Sequence, residues 1–319
     1  MMTNLIKTIQ NTASLNNLWG RTSKIVVGVS GGPDSVCLLD ILAGIKEKSE
    51  IELHIVHVNY ALRGKDSDKD EKIVENLADN YAFGLSVLKI GGFKKNNISE
   101  EILRNIRYDF FEKIRKELNY DLVAVAHNQD DQVETFLIHL IRGAGLQGLA
   151  GMKYKNNKII RPLLGISRKE ISEYLKNERL KYRTDKTNKE DIFLRNKVRN
   201  KLIPILEKNF NPNIKKTIFD STLNIFEDMS LISELSGKQL NKLEVLRASW
   251  ILKLHPALQK RMILKKIEFV KGDLKNIESS HVEEILKIIK STKSKNQRFS
   301  FQGLKLTRKG DRLNLAKIN

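Results

Sequence analysis

The string Ser30-Gly31-Gly32-Pro33-Asp34-Ser35 constrains the fold of this chain more than any other stretch. It follows Val26-Val27-Gly28-Val29, a run suited to a buried strand, and leads into the helical apolar pattern of Val36, Leu38, Leu39, Ile41 and Leu42. Strand, glycine turn and helix start therefore coincide. At such a helix start the free N–H groups and the dipole favour an anion, two glycines let the backbone approach it closely, and Ser30 and Ser35 add hydroxyl donors. Pro33 suits the first turn, where its missing N–H is not needed. Asp34 has two readings: an ordinary helix-start acid, or a carboxylate facing a Mg²⁺ that bridges phosphates, which bare would repel it.

The pattern around this unit repeats. Apolar runs at Lys24–Val29, Ile51–Val58, Leu85–Ile90, Leu122–Ala126 and Ile159–Arg161 predict strands, and amphipathic runs at Ser35–Lys46, Asp68–Tyr81, Ser99–Leu118 and Asp130–Arg142 predict helices between them. Such alternation implies an α/β fold with a mainly parallel sheet and helices on both faces. Ser167–Asn177 and Phe193–Glu207 read as further helices, and Asn211-Pro212 as a break, which sets the expected domains at 1–212 and 213–319. The second, smaller domain reads as mainly helical, with Pro256–Val270 and a serine-capped Ser280–Lys290, and as closing on a hairpin over 299–315.

Two further clusters follow predicted strands and so reach the same carboxyl edge of the sheet, where open α/β sheets bind ligands. One is His57-Val58-Asn59-Tyr60-Ala61-Leu62-Arg63-Gly64, with Asp66, Asp68, Asp70 and Glu71 entering the next helix, where acids ordinarily serve the dipole. The other runs from Ala126 to Thr135. Asp131 and Glu134 are three apart, Asp130 and Glu134 four apart, and His127 precedes them. Capping alone does not call for a histidine with three acids beside a phosphate loop.

The loop at 30–35 lacks both the Gly-Lys-Ser/Thr ending and the third glycine of the two familiar phosphate loops. It resembles instead the Ser-Gly-Gly-x-Asp-Ser loop of the N-type ATP pyrophosphatases, or PP-loop enzymes. With His57-Val58-Asn59, Leu62-Arg63, Arg104 to Arg107-Tyr108, the 126–135 run, Arg142-Gly143, Gly148-Leu149, Gly151-Met152, Arg161-Pro162-Leu163-Leu164, Asp185, Thr187-Asn188 and Arg195-Asn196-x-x-Arg199, the chain resembles the short form of the tRNA(Ile)-lysidine synthetase family. Tyr60 departs from the histidine common in that family.

The resemblance implies a ligase with ATP and Mg²⁺ as cofactors and with L-lysine and the isoleucine tRNA of CAU anticodon as partners. The C2 oxygen of the wobble cytidine is adenylated with loss of pyrophosphate, and the lysine amine then displaces AMP. It further implies ATP contacts by Ser30, Gly31, Gly32, Pro33, Asp34, Ser35 and His57. Asp34 and Asp131 would hold Mg²⁺. His127 would position the α-phosphate or move a proton, Glu134 would bind or deprotonate the lysine ammonium, and Arg199 and Arg195 would approach phosphate, the lysine carboxylate or tRNA. On residues alone, Arg195 and Arg199 read rather as a solvated helix face. A homodimer is compatible with the family.

Charge bears on the partner. Lys and Arg outnumber Asp and Glu by 57 to 38, which suits a polyanion or reflects a lysine-rich composition. From Ile285 to Asn319 ten Lys or Arg face the one acid Asp311, so Lys305, Arg308 and Lys309 are expected to touch the tRNA body. The single cysteine, Cys37, excludes an intrachain disulfide and the paired cysteines of the thiolating PP-loop enzymes, the nearest rival. A noncatalytic RNA-binding protein that uses ATP as a switch is the other alternative, and the acid cluster argues against it. No run resembles a signal or a membrane span, so a soluble, unprocessed, cytoplasmic protein is expected.

Overall fold

The computed structural model describes residues 2–62, 64–91, 99–183, 194–240, 246–292 and 296–318. The expectations placed on Arg63, Asp185, Thr187, Asn188, Phe193, Lys293 and Lys295 lie outside the described residues. The chain divides into two compact units, Met1–Leu223 and Asn224–Asn319.

The first unit runs α1 (Met2–Leu15), β1 (Lys24–Gly28), α2 (Pro33–Ser49), β2 (Glu52–Asn59), α3 (Lys65–Tyr81), β3 (Gly84–Lys89), α4 (Glu100–Glu117), β4 (Leu122–Ala124), α5 (Gln129–Ile141), α6 (Leu146–Leu149), β5 (Lys155–Asn156), β6 (Ile159–Ile160), α7 (Arg168–Asn177), α8 (Leu194–Lys197) and α9 (Ile203–Asn209). Its sheet has the order β3-β2-β1-β4-β6-β5, parallel throughout except that β5 is antiparallel to β6.

The alternation of a strand explains why both faces are covered. Ile25, Val27 and Ile55 point to one face, into a core with Leu38, Leu42, Val74 and Leu175 of α2, α3 and α7. Val26, Val56 and Val123 point to the other, against Phe110, Phe111 and Ile114 of α4. The expected strands and helices are present within a few residues. Helix α1, which packs Ile9 and Ala13 into the first core, was not anticipated.

One helix differs in kind. The run read as continuous from 193 to 207 is α8, a π-helical turn over Val198–Leu202, and α9. A π turn inserts one residue per turn, and it carries Arg199.

The expected boundary at Asn211-Pro212 is a turn, but the first unit continues past it. Helix α10 (Ile214–Leu240) begins by packing Ile218 and Phe219 against Val133, Leu137, Val198 and Ile203, so the division falls within this helix.

The second unit contains β7 (Leu246–Arg247), α11 (Ala248–Leu252), α12 (Pro256–Lys271), α13 (Ser279–Lys290), β8 (Gln297–Phe301), β9 (Leu304–Lys309) and β10 (Arg312–Lys317). The expected terminal hairpin is part of a four-stranded antiparallel sheet, β7-β10-β9-β8. Phe301, Leu304, Leu306, Leu313 and Leu315 bury one face of it with Ile263, Ile267, Ile285 and Ile289. The cap of α13 is Glu278, paired in a capping box with His281, rather than a serine.

Candidate active site

The strand order reverses at β1, with β2 and β3 to one side and β4 to the other, so a crevice opens beyond the carboxyl ends of β1 and β4. A cavity of about 720 Å³ lies there, lined by Ser30, Gly32–Ser35, Tyr60, Arg107, His127, Asp131, Arg168, Arg183 and Arg199 among others. Three helices, α2, α5 and α7, bring their N-terminal turns to it, and their dipoles favour an anion.

The loop after β1 is built from its own side chains. The Ser35 hydroxyl donates to the Gly32 carbonyl at 2.9 Å and accepts the Ser30 N–H at 3.1 Å. Gly31 has φ +80°, and a Cβ there would stand 3.2 Å from the Asp70 carbonyl oxygen, so glycine is required on both grounds. At Gly28 a Cβ would meet the Phe111 ring at 2.6 Å, so glycine lets that ring of α4 pack against the end of β1. His57 lies behind the loop and is not among the cavity-lining residues. Its Nδ1 donates to the Val29 carbonyl at 2.8 Å, so it supports the loop from outside the cavity. Tyr60 lines the cavity while its hydroxyl donates to Leu103 O at 2.7 Å, tying the loop after β2 to α4.

Asp34 projects from the first turn of α2 into the cavity. Burial, then the neighbouring Asp131 charge, raises its carboxyl to about 6, against the opposing pull of Arg168, Asn128 and Arg199. Asp131 is both cap and site residue: Oδ2 accepts the Asn128 N–H at 3.1 Å, Asn128 Oδ1 accepts the Asp131 N–H at 3.0 Å, and Oδ1 faces Arg168 Nη2 at 2.9 Å. His127 is held well below its ordinary range by burial and then by Arg161, Arg104, Arg195 and Arg107, so the imidazole is neutral. Its Nδ1 is buried and has no hydrogen-bond partner among the described residues, a polar atom with capacity left for a ligand.

Glu134 corrects the expectation placed on it. The residue is fully buried, and both its oxygens are taken: Arg199 Nε reaches Oε1 at 2.6 Å and Nη2 reaches Oε2 at 2.8 Å, while Arg195 Nε reaches Oε2 at 2.9 Å and Arg168 Nη1 reaches Oε1 at 3.3 Å. Among the described residues, both oxygens already accept two hydrogen bonds each from guanidiniums, so an ammonium would have to displace one of them. Glu134 instead fixes three guanidiniums, which is how a buried carboxylate is tolerated. Arg195 belongs to this cluster rather than to a solvated helix face, and Asp130 turns away to Lys215 Nζ at 3.1 Å and the Arg168 N–H at 2.9 Å.

Sequence reasoning missed Arg168 and Arg183. A signal was available for Arg168, because a cation in the first turn of a helix opposes the dipole and so calls for an acidic partner. In the second unit Arg308 is also corrected. Its guanidinium donates to the carbonyls of Ile288, Ile289, Ser291 and Gly310 and so caps the C-terminus of α13. Lys305 and Lys309 are exposed on the outer face of the sheet. Among the described residues, no helix is long and apolar enough to cross a membrane.

Residues 2–206 match the PP-loop domain family. The chain is 41% identical over 304 residues to the tRNA(Ile)-lysidine synthase of Clostridium tetani, covering 91% of this chain and 65% of that one. It is 35% identical to the tRNA(Ile)-lysidine synthase of Caldanaerobacter subterraneus subsp. tengcongensis, covering 95% and 68%. The chain therefore spans about two thirds of the length of these curated relatives, 65% and 68%. Among solved structures, the U34-tRNA thiolase NcsA from Methanococcus maripaludis, with its 4Fe-4S cluster, aligns with a TM-score of 0.57 at 20% identity over 71% of this chain and 80% of that one, a likeness of fold.

Proposed function

The chain belongs to the PP-loop family and, within it, to the tRNA(Ile)-lysidine synthases, and from that premise we propose that it joins L-lysine to C2 of the wobble cytidine of an isoleucine tRNA with a CAU anticodon. The observation that carries the reading is the convergence of Asp34, His127, Asp131 and Arg199 on one cavity with the phosphate loop.

In the first step the cytidine C2 oxygen forms a bond to the α-phosphorus of ATP, and the bond to the bridging oxygen breaks, its electron pair leaving with pyrophosphate. The loop N–H groups and hydroxyls would cradle the phosphates, and Arg168 and Arg199 would face the charge that develops on them. His127, neutral in its ring of arginines, is a weak base, which favours a hydrogen bond to the α-phosphate over proton abstraction. In the second step the lysine ammonium first gives a proton to water, the free amine attacks C2, the C2–O bond breaks with its electron pair leaving on AMP, and the nitrogen gives a second proton to water.

Mg²⁺ fits the donor set in one respect. Asp34 makes no ion pair among the described residues and sits beside a second carboxylate that penalises its charge, so a cation arriving on phosphates would relieve it. One or two carboxylates suffice for Mg²⁺ carried by a nucleotide, and among the described residues no group of three or more metal-ligating side chains exists to hold a resident ion. Asp34 would be the principal ligand and Asp131, already engaged by arginine, the lesser one. Mg²⁺ there supplies neutralisation of phosphate charge and a better pyrophosphate leaving group.

A thiolation reading meets an obstacle in Cys37, which is fully buried with its thiol pushed up by burial and by Asp34 and Asp40. We place the reaction in the cytoplasm, where its tRNA is found. The test is pyrophosphate release from ATP as a function of added tRNA: release that requires a CAU-anticodon tRNA supports adenylation of that base, and release indifferent to tRNA argues against it.

A further inference from the structure

Arg183 stands at the mouth of the phosphate loop, and its surroundings assign it a task that no sequence motif marks. Its backbone N–H donates to the Gly31 carbonyl at 3.0 Å, so the segment is fixed to the loop itself. Its guanidinium lines the same cavity as Ser30 and Asp34. That guanidinium is held by two acids at the start of α3, Asp70 at 2.8 Å through Nε and Asp66 at 3.0 Å through Nη2.

The two pairs differ in strength. The Asp66 side chain is 54% exposed, which makes its pair with Arg183 weak and easily exchanged. Lys69 also reaches Asp66, at 3.4 Å, and would keep that carboxylate partnered if Arg183 left it. Asp70 is 11% exposed and lines the cavity, so its pair with Arg183 is better shielded from solvent and keeps a positive charge beside the loop. A bidentate donor next to a phosphate site, parked on a weak acidic partner, is arranged for transfer from one anion to another.

We propose that Arg183 is a nucleotide-binding residue held in reserve by Asp66, and that as ATP binds it turns from Asp66 toward the polyphosphate while remaining beside Asp70. The proposal rests on the reading of this cavity as an ATP site.

The experiment titrates the Mg²⁺ complex of a non-cleavable ATP analogue, with methylene between the α- and β-phosphorus, into the full chain by calorimetry. Arg183→Gln is expected to weaken binding roughly tenfold, and Arg183→Lys to recover part of that loss. Asp66→Asn is expected to strengthen binding about two- to threefold, because it releases the arginine. The double variant Asp66→Asn/Arg183→Gln is expected to bind like Arg183→Gln alone. Should Asp66→Asn tighten binding equally when Arg183 is absent, the effect is simple removal of a negative charge and the proposal fails. It fails also if Asp66→Asn leaves affinity unchanged, or if Arg183→Gln, shown folded by its melting transition, binds like the parent chain. Were Arg183→Gln not to fold, Arg183→Lys and Asp66→Asn carry the same decision. A parent chain that does not bind the analogue removes the ATP reading itself, and this proposal with it.

Discussion

Arginine does different work in the two units. At the carboxyl edge of the first sheet, Arg168, Arg195 and Arg199 are gathered by the fully buried Glu134 and by Asp131, so Arg168 and Arg199 are pre-positioned on the cavity wall, with Arg195 behind them, and their charge is largely compensated. In the second unit Arg308 is equally well satisfied, but by backbone carbonyls at the end of α13, while Lys305 and Lys309 on the same strand are exposed. A count of positive charge does not distinguish a preorganised site from a helix cap or from a surface open to a polyanion. Burial and the partner of each guanidinium do.

That contrast can be broken at four places, in order of falling effect. Asp34→Asn should reduce pyrophosphate release about a thousandfold, since it removes the charge facing the phosphates. The same change should raise the melting temperature near neutral pH. The folded chain holds the Asp34 proton up to about 6, more tightly than an unfolded chain would, so its ionisation costs stability as pH rises through that value. The gain should shrink as pH falls toward about 4 and vanish by about 3, where both states are protonated; a gain that persists there would contradict the raised carboxyl.

Glu134→Ala should destabilise the first unit by about 3 kcal/mol or more, because it leaves three guanidiniums without their common partner. Urea unfolding followed by an aromatic signal would read it. An unaltered midpoint would mean the arginines hold themselves. Arg308→Ala should cost about 1–2 kcal/mol through the loss of charged hydrogen bonds to the end of α13, with no change in the salt dependence of tRNA binding. Lys305→Gln with Lys309→Gln should leave the unfolding free energy within about 0.5 kcal/mol of the parent chain, yet lower the salt slope of tRNA binding by about 1–2. An unchanged slope would remove that sheet face from contact.

Much of this was legible in the sequence, for physical reasons. The β-branched runs and the glycine turn at 28–32 report local backbone demands, so the parallel sheet and the loop could be placed from them. Asp34, His127 and Asp131 follow because each lies at a strand end or helix start that must face the crevice, whereas Arg199, inside a run that reads as one helix, comes only with the family resemblance. What sequence could not show was pairing between distant segments. Glu134 is thirty-four residues from Arg168 and over sixty from Arg195 and Arg199, and no periodicity encodes that they meet. The π turn that carries Arg199 is invisible to a 3.6-residue pattern, and Arg308 reads as surface charge until the end of α13 is seen beneath it. The domain boundary slipped for a similar reason, since Asn211-Pro212 marks a turn while the packing of Ile218 and Phe219 decides where the first core ends.

The central claim, that this cavity adenylates a tRNA base and hands it to lysine, is tested most directly by incubating the chain with ATP, Mg²⁺, labelled L-lysine and a CAU-anticodon isoleucine tRNA, and then analysing the nucleosides of that tRNA by mass spectrometry. The account predicts lysine bonded at C2 of the wobble cytidine in an amount equal to the AMP formed. AMP formed with no lysine in the tRNA, or sulfur found in place of the C2 oxygen, would contradict it.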